Sequence, residues 1–255
     1  MSSVNLYPNY DPFARMYNES WGPHSCQTKL PQVEKLLIQH HLPKGAHILD
    51  LCCGTGQAVQ QLVLKGYQVT GLDSSEGMLY YARKNAPTAE FILGDARFFE
   101  LPTTYHAVVS TNIGLNHIMS IEELKAVFKK VYDALQNNGL FVFDLIFKGK
   151  FKSYGSDTFL TDGEVKDDYA WACRESYDPK EKINPNIMTI FELIEEQWQR
   201  SDITWIYKAY TEDEVKSTLD NVGFTGVTLY DREGNLAKPE GNSYGIFVGR
   251  KQIDR

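Results

Sequence analysis

Short apolar runs alternate with amphipathic stretches along the first half of the chain. Apolar segments ending at Leu51, Asp73 and Leu93 predict buried strands, because a parallel strand covered on both faces reads as a nearly continuous apolar run. A helical stretch from Gln57 to Leu64 lies between the first two strands. This alternation predicts an α/β fold built on a doubly wound sheet.

Capping residues and apolar spacing place the other helices. Pro31 is expected to open a helix through Gln39, and the capping box at Ser120 opens one that runs to a stop at Gly139. The last helix should begin at Thr211 and end at a glycine, Gly223. The remaining core strands are predicted at 106–112, 140–146, 226–230 and 244–248.

The pattern changes after the fifth strand. Helical periodicity disappears between Lys148 and Ala209, and strand-like segments at 169–177, 187–197 and 203–210 are separated by turn sequences, including 178–180 and 184–186. We therefore predict three parts: an N-terminal gate and ligand-binding α/β core (1–147), an inserted antiparallel β lid (148–209), and the C-terminal completion of the core (210–255). Ligands of doubly wound folds bind at the carboxyl ends of the strands, so the insertion is expected to cover the substrate. An oligomer interface is the alternative, and a homodimer stays open.

Candidate chemistry begins at the first strand end, Asp50-Leu-Cys-Cys-Gly54-Thr-Gly56. Glycines in a strand-to-helix turn let the backbone approach a small adenosine-containing ligand, although packing alone also produces such turns. Asp73 ends the second strand, where an acid can accept hydrogen bonds from a ribose diol. Asp95 follows the third strand and could reach an adenine amino group.

Two nucleotide-binding alternatives fit poorly. In a dinucleotide fingerprint the third glycine would fall at Val59, and Asp50 would lie close to a bound pyrophosphate. No Gly-Lys-Ser/Thr sequence follows the loop, which excludes a phosphate-binding P-loop.

These residues resemble the class I S-adenosylmethionine-dependent methyltransferases of small molecules. The similarity rests on the motif from Asp50 to Gly56, on Asp73 and on Gly94-Asp95-Ala96, and continues at 106–112, 114–118, 210–214 and 223–224. It implies a seven-stranded Rossmann-like sheet with an antiparallel last strand, S-adenosyl-L-methionine as cofactor, and methyl transfer to O or N of a small organic acceptor. The expected donor contacts are Tyr17, Asp50, Cys52, Gly54, Gly56, Asp73, Ser74, Met78, Asp95, Ala96, Thr111 and Asn112.

Aromatic residues are dense near the N-terminus. A tail with this many rings is expected to cover something, since exposed rings cost free energy. In similar methyltransferases this region folds over the cofactor, so Tyr10 and Tyr17 are candidates for closing the donor pocket and Tyr10 for contacting substrate. A helix that only covers core surface is the alternative. The rings and the methionine among them are Tyr7, Tyr10, Phe13, Met16, Tyr17 and Trp21.

Methyl transfer from a sulfonium needs alignment and exclusion of water more than catalytic side chains. His117 is the candidate base, because imidazole titrates near neutrality; a histidine bonded to a backbone carbonyl is the alternative. Asn112 and Asn116 could orient substrate.

The lid sequence suggests an acceptor without identifying one. Its aromatic content suits a small organic or amine acceptor through stacking or cation–π contact, although strand patterning also enriches these residues. We expect Trp171 and Arg174 to contact the acceptor; a surface salt bridge with Glu175 or Asp178 is the alternative for Arg174. The lid aromatics are Tyr154, Tyr169, Trp171, Tyr177, Phe191, Trp198, Trp205 and Tyr207.

Composition narrows the class of protein. A net charge of −7 argues against a nucleic-acid substrate, which needs clustered Lys and Arg. No run approaches the length of a membrane span and no leader pattern is visible, so a cytoplasmic location is expected. The four cysteines lack metal-ligand spacing and are read as buried or loop residues, with no metal expected. A catalytically silent donor-binding regulator or scaffold stays open, as does a nicotinamide oxidoreductase.

Overall fold

The computed structural model describes residues 9–147, 159–237 and 243–252. The helices are α1 (Ala14–Met16), α2 (Gly22–Gln39), α3 (Gln57–Leu64), α4 (Glu76–Asn85), α5 (Ile121–Ala134) and α6 (Glu212–Val222). The strands are β1 (His47–Leu51), β2 (Gln68–Asp73), β3 (Glu90–Leu93), β4 (Tyr105–Ser110), β5 (Leu135–Ile146), β6 (Phe159–Val165), β7 (Tyr169–Glu175), β8 (Ile183–Ile194), β9 (Gln197–Lys208), β10 (Phe224–Tyr230) and β11 (Tyr244–Lys251).

Seven strands form the central sheet in the order β10-β11-β5-β4-β1-β2-β3. The strands β3, β2, β1, β4 and β5 pair in parallel, whereas β11 is antiparallel to both β5 and β10. Strand order therefore reverses beside β1, which places the carboxyl ends of β1 and β4 at a topological switch point. The predicted doubly wound sheet with an antiparallel last strand is confirmed.

Helices cover both faces of this sheet. Leu36, Leu37 and Val59 belong to the core on one face, and Phe128 and Leu219 belong to the core on the other. All five side chains are fully buried. Burial of a large apolar side chain stabilises the fold by about 1.5–3 kcal/mol, so these two layers hold the strand ends in place.

Two helix starts follow the predicted capping chemistry. The Ser120 hydroxyl accepts a hydrogen bond from the Glu123 amide at 3.1 Å at the start of α5. At α6, the Thr211 hydroxyl accepts from the Glu214 amide at 3.2 Å, and the Glu214 carboxylate accepts from the Thr211 amide at 2.8 Å. Gly223 ends α6 in the left-handed region, at φ +112°.

Two predicted helix boundaries are wrong. Helix α2 begins at Gly22 rather than Pro31, because Pro23 already occupies the first turn, where a missing amide costs nothing. Helix α5 ends at Ala134 and not at Gly139. The chain enters β5 at Leu135, which is buried and pairs with Tyr105 of β4, so sheet pairing overrides the helical pattern there.

The second sheet, called the inserted sheet, is antiparallel in the order β6-β7-β8-β9. This confirms the predicted antiparallel insertion, although sequence analysis missed β6. The predicted turn at 184–186 lies inside β8 instead, where Asn184 and Asn186 pair with Tyr207 and Trp205 of β9. The side-chain amide of the buried Asn184 also donates to the Ser176 carbonyl oxygen at 2.5 Å.

Residues 9–21, called the N-terminal segment, connect the inserted sheet to the central sheet. Phe13 is buried with its ring 5.3 Å from the Trp205 ring of β9. Asp11 accepts hydrogen bonds from the Ser75 hydroxyl at 2.6 Å and the Gly77 amide at 2.9 Å at the start of α4. Of the aromatic residues singled out in the sequence, Tyr7 and Tyr154 lie outside the described residues. In the described ranges, no helix is long and apolar enough to cross a membrane.

Gly56 illustrates how the helices fix the loop after β1. Its φ is +78°, and a Cβ there would lie 2.9 Å from the Ala82 Cβ of α4. We predict that Gly56→Ala lowers the free energy of unfolding by roughly 2–4 kcal/mol, combining left-handed strain with overpacking, as measured by urea denaturation. Gly45→Ala is the control, because Gly45 has a similar φ of +71° and open space around it. Equal losses in the two variants would contradict the packing explanation.

Candidate active site

A cavity of about 890 Å³ lies between the carboxyl ends of the central strands and the inserted sheet. The N-terminal segment contributes Tyr10, Phe13, Tyr17 and Trp21 to its lining. This volume is within the usual range for small-molecule and cofactor sites. The cavity is therefore the candidate active site.

The ends of β1 and β2 are joined through Asp73. Its carboxylate accepts hydrogen bonds from the Gly54 amide at 2.8 Å and the Ser75 amide at 3.0 Å. Gly54 has φ +54°, and a Cβ there would lie 3.2 Å from the Tyr17 ring. Burial raises the pKa of Asp73, while these backbone hydrogen bonds act in the opposite direction. The glycine is needed here for its φ and for space at the cavity wall.

Asp50 lies behind this loop and is 1% exposed. Neither carboxylate oxygen has a hydrogen-bond partner within the described residues. Burial, and then the nearby charge of Asp73, raises the pKa of Asp50 to about 8. A buried carboxyl without partners is costly, and a cation placed beside it would offset that cost.

The segment after β4 is held in an uncommon conformation. Asn112 and Ile113 have φ values of +61° and +58°, which are unfavourable for side chains other than glycine and most of all for a β-branched one. The Asn112 amide donates to the Tyr17 hydroxyl at 2.6 Å and its oxygen accepts from the Lys29 ammonium at 2.6 Å. The Ile113 backbone amide donates to Asp144 at 2.6 Å. These bonds fix the cavity wall.

Asp95, expected to reach an adenine, lines the cavity but is also paired with Arg97. The Asp95 carboxylate accepts from the Arg97 guanidinium, with a closest distance of 2.6 Å. Although burial works in the other direction, this pairing lowers the pKa of Asp95. The carboxylate is therefore ionised at neutral pH and held in a fixed orientation.

His117 lies in a 3-10 turn, Gly114–His117, and lines the cavity. Its Nδ1 is 2.7 Å from the Tyr10 hydroxyl, with which it shares a hydrogen bond, and its ring is 4.7 Å from the Tyr207 ring. Burial lowers the pKa of His117 to about 4. The imidazole is therefore neutral at physiological pH, but it is a weak base. Within the described part of the chain its recorded hydrogen bond is to the Tyr10 hydroxyl and not to the backbone carbonyl considered above.

Most of the predicted site residues meet at this cavity. Those that line it are Tyr10, Tyr17, Cys52, Gly54, Asp73, Ser74, Met78, Asp95, Ala96, Thr111, Asn112 and His117. Asp50 lies just behind the wall, and four other predicted residues lie elsewhere.

Gly56 and Asn116 serve the fold instead of the cavity. A Cβ at Gly56 would face Ala82 of α4, and Gly56 is not part of the cavity lining, so its predicted contact with ligand stays a prediction. Asn116 is fully buried; its amide donates to the carbonyl oxygens of Ile146 and Lys208, and its oxygen accepts from the Ile146 amide. It therefore ties β5 to β9, and its predicted substrate contact is not supported by this geometry.

The two predicted residues of the inserted sheet also do not line the cavity. Trp171 is buried against the Trp21 ring at 5.4 Å, and its indole N–H donates to Glu164 at 3.4 Å. Arg174 is exposed on the opposite face of β7. Side chains alternate along a strand, so Glu175 faces the cavity in its place.

Sequence reasoning missed several polar residues of the cavity. The inserted sheet supplies Asp162, Glu175 and Asn186 to the lining, and α2 supplies Lys29. The period of two along β7 could have placed Glu175 on the buried face with Trp171. No sequence pattern marks Lys29 as a cavity residue, because its partners, Asn112 and Asp144, lie far along the chain.

Comparisons with known proteins give the family. Residues 48–139 match the model of a methyltransferase domain family. A Geobacillus sp. (strain WCH70) protein, itself classed provisionally as a methyltransferase, is 26% identical over 95% of this chain and 99% of its own length. A dTDP-4-amino-2,3,4,6-tetradeoxy-D-glucose N,N-dimethyltransferase of Saccharopolyspora spinosa is 25% identical over 84% of this chain and 82% of its own length.

The fold has a close counterpart among solved structures. An S-adenosylmethionine-dependent methyltransferase from Clostridium acetobutylicum superposes with a TM-score of 0.78 at 17% identity, covering 95% of this chain and 99% of that one. The domain match, the sheet order and the glycine loop together identify this chain as a class I S-adenosylmethionine-dependent methyltransferase. S-adenosylmethionine is accordingly its methyl donor.

The residues of the cavity fit this donor. The orphaned Asp50 carboxyl is complementary to a positively charged amino group, and the absence of a Cβ at Gly54 leaves space beside the Tyr17 ring. Asp73 at the end of β2 retains acceptor capacity, since a carboxylate can accept about four hydrogen bonds.

Asp50 generates a prediction about pH. Its pKa is about 8 in the folded protein, compared with 3.8 ordinarily, so between about pH 4 and pH 8 the unfolded chain releases a proton that the folded protein retains. The ligand-free protein should therefore lose stability as pH rises through this window. Asp50→Asn should remove that part of the slope and gain stability relative to wild type at pH 8, as measured by thermal denaturation at a series of pH values. Asp220→Asn, which changes an exposed carboxylate, is the control. Parallel pH profiles for wild type and Asp50→Asn would contradict the assignment.

Proposed function

We propose that this methyltransferase transfers the methyl group to the nitrogen of a small organic amine. The observation that carries the proposal is the charge of the cavity. Four carboxylates line it, those of Asp73, Asp95, Asp162 and Glu175. A cationic or hydrogen-donating acceptor is complementary to such a lining.

The lysine and arginine that line the cavity are already engaged. The Lys29 ammonium lies 2.6 Å from the Asn112 oxygen and 3.6 Å from the Asp144 carboxylate. The Arg97 guanidinium pairs with Asp95 at 2.6 Å and Glu123 at 2.9 Å. Neither cation therefore neutralises Glu175 or Asp162, although Asp162 also accepts a hydrogen bond from the Trp21 indole N–H at 2.9 Å. The amino-sugar specificity of the Saccharopolyspora relative agrees with an amine acceptor.

The donor side of the proposal assigns roles to the residues at the strand ends. S-adenosylmethionine supplies an electrophilic methyl group on a sulfonium. Asp50 would neutralise its amino group, Asp73 would bind the ribose hydroxyls, and Tyr17 would close the pocket over the glycine loop, residues 52–56. The other proposed donor contacts are Cys52, Gly54, Ser74, Met78, Asp95, Ala96, Thr111 and Asn112.

The acceptor side depends on alignment and exclusion of water. Tyr10 and His117 share a hydrogen bond at the junction of the N-terminal segment and the 3-10 turn, which fixes both rings beside the cavity. With a pKa of about 4, His117 is an orienting acceptor at neutral pH and contributes little as a base. A neutral amine presents its own lone pair, and its surplus proton can leave to water after transfer. In this proposal the inserted sheet closes the acceptor side, which is the lid role predicted from the sequence.

A mutation of Asp73 tests the donor assignment. Asp73→Ala should weaken donor binding at least about tenfold, because charge-assisted hydrogen bonds contribute about 1.5–3 kcal/mol each. Since Asp73 also holds the Gly54 and Ser75 amides, Asp73→Asn is the matched variant that retains one acceptor oxygen and the side-chain volume. Isothermal titration calorimetry with S-adenosylmethionine gives both dissociation constants. Unchanged affinity in a folded Asp73→Ala variant would remove this residue from the donor site.

An acceptor screen tests the reaction itself. The protein and S-adenosylmethionine are incubated with small amines and with matched alcohols, such as the methyl glycoside of glucosamine and methyl glucoside, and release of S-adenosylhomocysteine is measured. We expect release with amines and not with the alcohols. Release with alcohols alone would overturn N-methylation. Tight donor binding without release for any acceptor would instead indicate the catalytically silent donor-binding protein.

A further inference from the structure

Three polar residues of the inserted sheet form one row across neighbouring strands. Glu175 of β7 is the direct partner of Asn186 in β8, and Asn186 is the direct partner of Trp205 in β9. Directly opposed residues have Cβ atoms about 4.5–5.5 Å apart and share one face of the sheet. All three line the cavity. We call them the polar row.

Burying the polar groups of this row costs folding free energy, because not all of them have good hydrogen-bond partners within the protein. Trp205 is 1% exposed, and its indole N–H has no hydrogen-bond partner within 3.5 Å among the described residues. It still lies near enough to the Tyr207 hydroxyl to lower the pKa of Tyr207 against the rise that burial causes, so that contact is long and leaves the N–H poorly satisfied. Asn186 is equally buried, and its amide nitrogen donates to the Asn184 carbonyl at 2.8 Å and side-chain oxygen at 2.9 Å. A buried donor without a partner costs free energy, and apolar packing alone would have favoured a hydrocarbon ring at this position.

The pattern of groups suggests a ligand with mixed polarity. A carboxylate accepts hydrogen bonds, an indole N–H donates one, and the Asn186 oxygen accepts. The ring of Phe13, 5.3 Å from Trp205, belongs to the same cavity lining and offers an apolar surface beside the polar groups. Such a surface is complementary to a compact molecule that carries an amino group next to hydroxyl or ring oxygens.

We propose that the polar row is the acceptor-recognition site, in which Glu175 binds the amino group of an amino sugar or amino alcohol and Trp205 and Asn186 bind its oxygens. This inference rests on the proposed N-methyltransferase function and adds to it the residues that select the acceptor. It also replaces Arg174, on the opposite face of β7, as the charged residue of the acceptor site.

Glu175 has a second consequence for the reaction. The acceptor nitrogen forms a bond to the methyl carbon while the carbon–sulfur bond breaks and leaves its electron pair on sulfur. Positive charge therefore moves onto the nitrogen, which afterwards loses a proton to water. A carboxylate beside the nitrogen stabilises that charge more in the transition state than in the neutral amine, so Glu175 should affect turnover as well as binding.

The test compares three variants with the wild type. Glu175→Gln retains the shape and removes the charge, and should lower kcat/KM for the methyl glycoside of glucosamine by at least about tenfold. Trp205→Phe keeps an aromatic ring but removes the N–H together with part of the indole, and should lower kcat/KM roughly threefold to tenfold. Arg174→Gln, on the opposite face of the same strand, is the control and should match wild type. The dissociation constant for S-adenosylmethionine should stay within twofold in all three.

A measurement independent of turnover follows the indole itself. With nitrogen-15-labelled tryptophan, the four indole N–H resonances can be assigned from the Trp205→Phe variant and its counterparts. Addition of the methyl glycoside of glucosamine to the protein saturated with S-adenosylhomocysteine should shift the Trp205 resonance. Glu175→Gln should make that shift smaller at the same ligand concentration. The dTDP-linked amino sugar is titrated in parallel, which distinguishes a nucleotide-linked acceptor from a free one.

The outcomes separate the two proposals. If amines cause release of S-adenosylhomocysteine and Glu175→Gln changes kcat/KM less than twofold, the polar row is not the acceptor-recognition site, while the N-methyltransferase function stands. An unshifted Trp205 resonance with both amines would also show that the polar row does not bind the acceptor. Absence of release with any amine would instead count against the proposed function.

Discussion

The hydrogen bond from the Gly54 amide to the Asp73 carboxylate is the contact on which the site depends. At 2.8 Å it joins the turn after β1 to the end of β2, two elements that come together only because parallel strands end at the same edge of a sheet. The second oxygen of Asp73 accepts from the Ser75 amide at the start of α4. One side chain therefore fixes the glycine loop, a strand end and a helix start, and the N-terminal segment is attached to the same helix start through Asp11.

The parts of the fold that were predictable depend on local pattern. Apolar runs, the glycine loop and the capping residues at Ser120 and Thr211 all act within a few positions along the chain, and each is where it was expected. The class of fold and the identity of Asp73 as a strand-end acid follow from the same local information. The antiparallel final strand was expected only from resemblance to a family, and the sheet pairing confirms it.

The site predictions that the geometry does not support share a different physical origin. Asn116 and Gly56 were assigned to ligand because each follows a strand, but their partners, Lys208 and Ala82, become neighbours only in the folded chain. Arg174 and Glu175 differ by one position, and that single step decides which face of β7 a side chain occupies. His117 was considered as a base from its ordinary titration range, whereas burial by residues distant in sequence keeps it neutral and weakly basic.

The left-handed backbone at Cys52, Asn112 and Ile113 sets the stability of the protein against the shape of its cavity. All three residues line the cavity, and none is glycine, although glycine would adopt these φ values without strain. The side chains at these positions are therefore held at a cost in conformational stability. Glycine at Cys52 or Ile113 would relieve the backbone strain but would also remove part of the cavity lining, so the stability of the fold and the shape of the cavity make opposite demands on this wall.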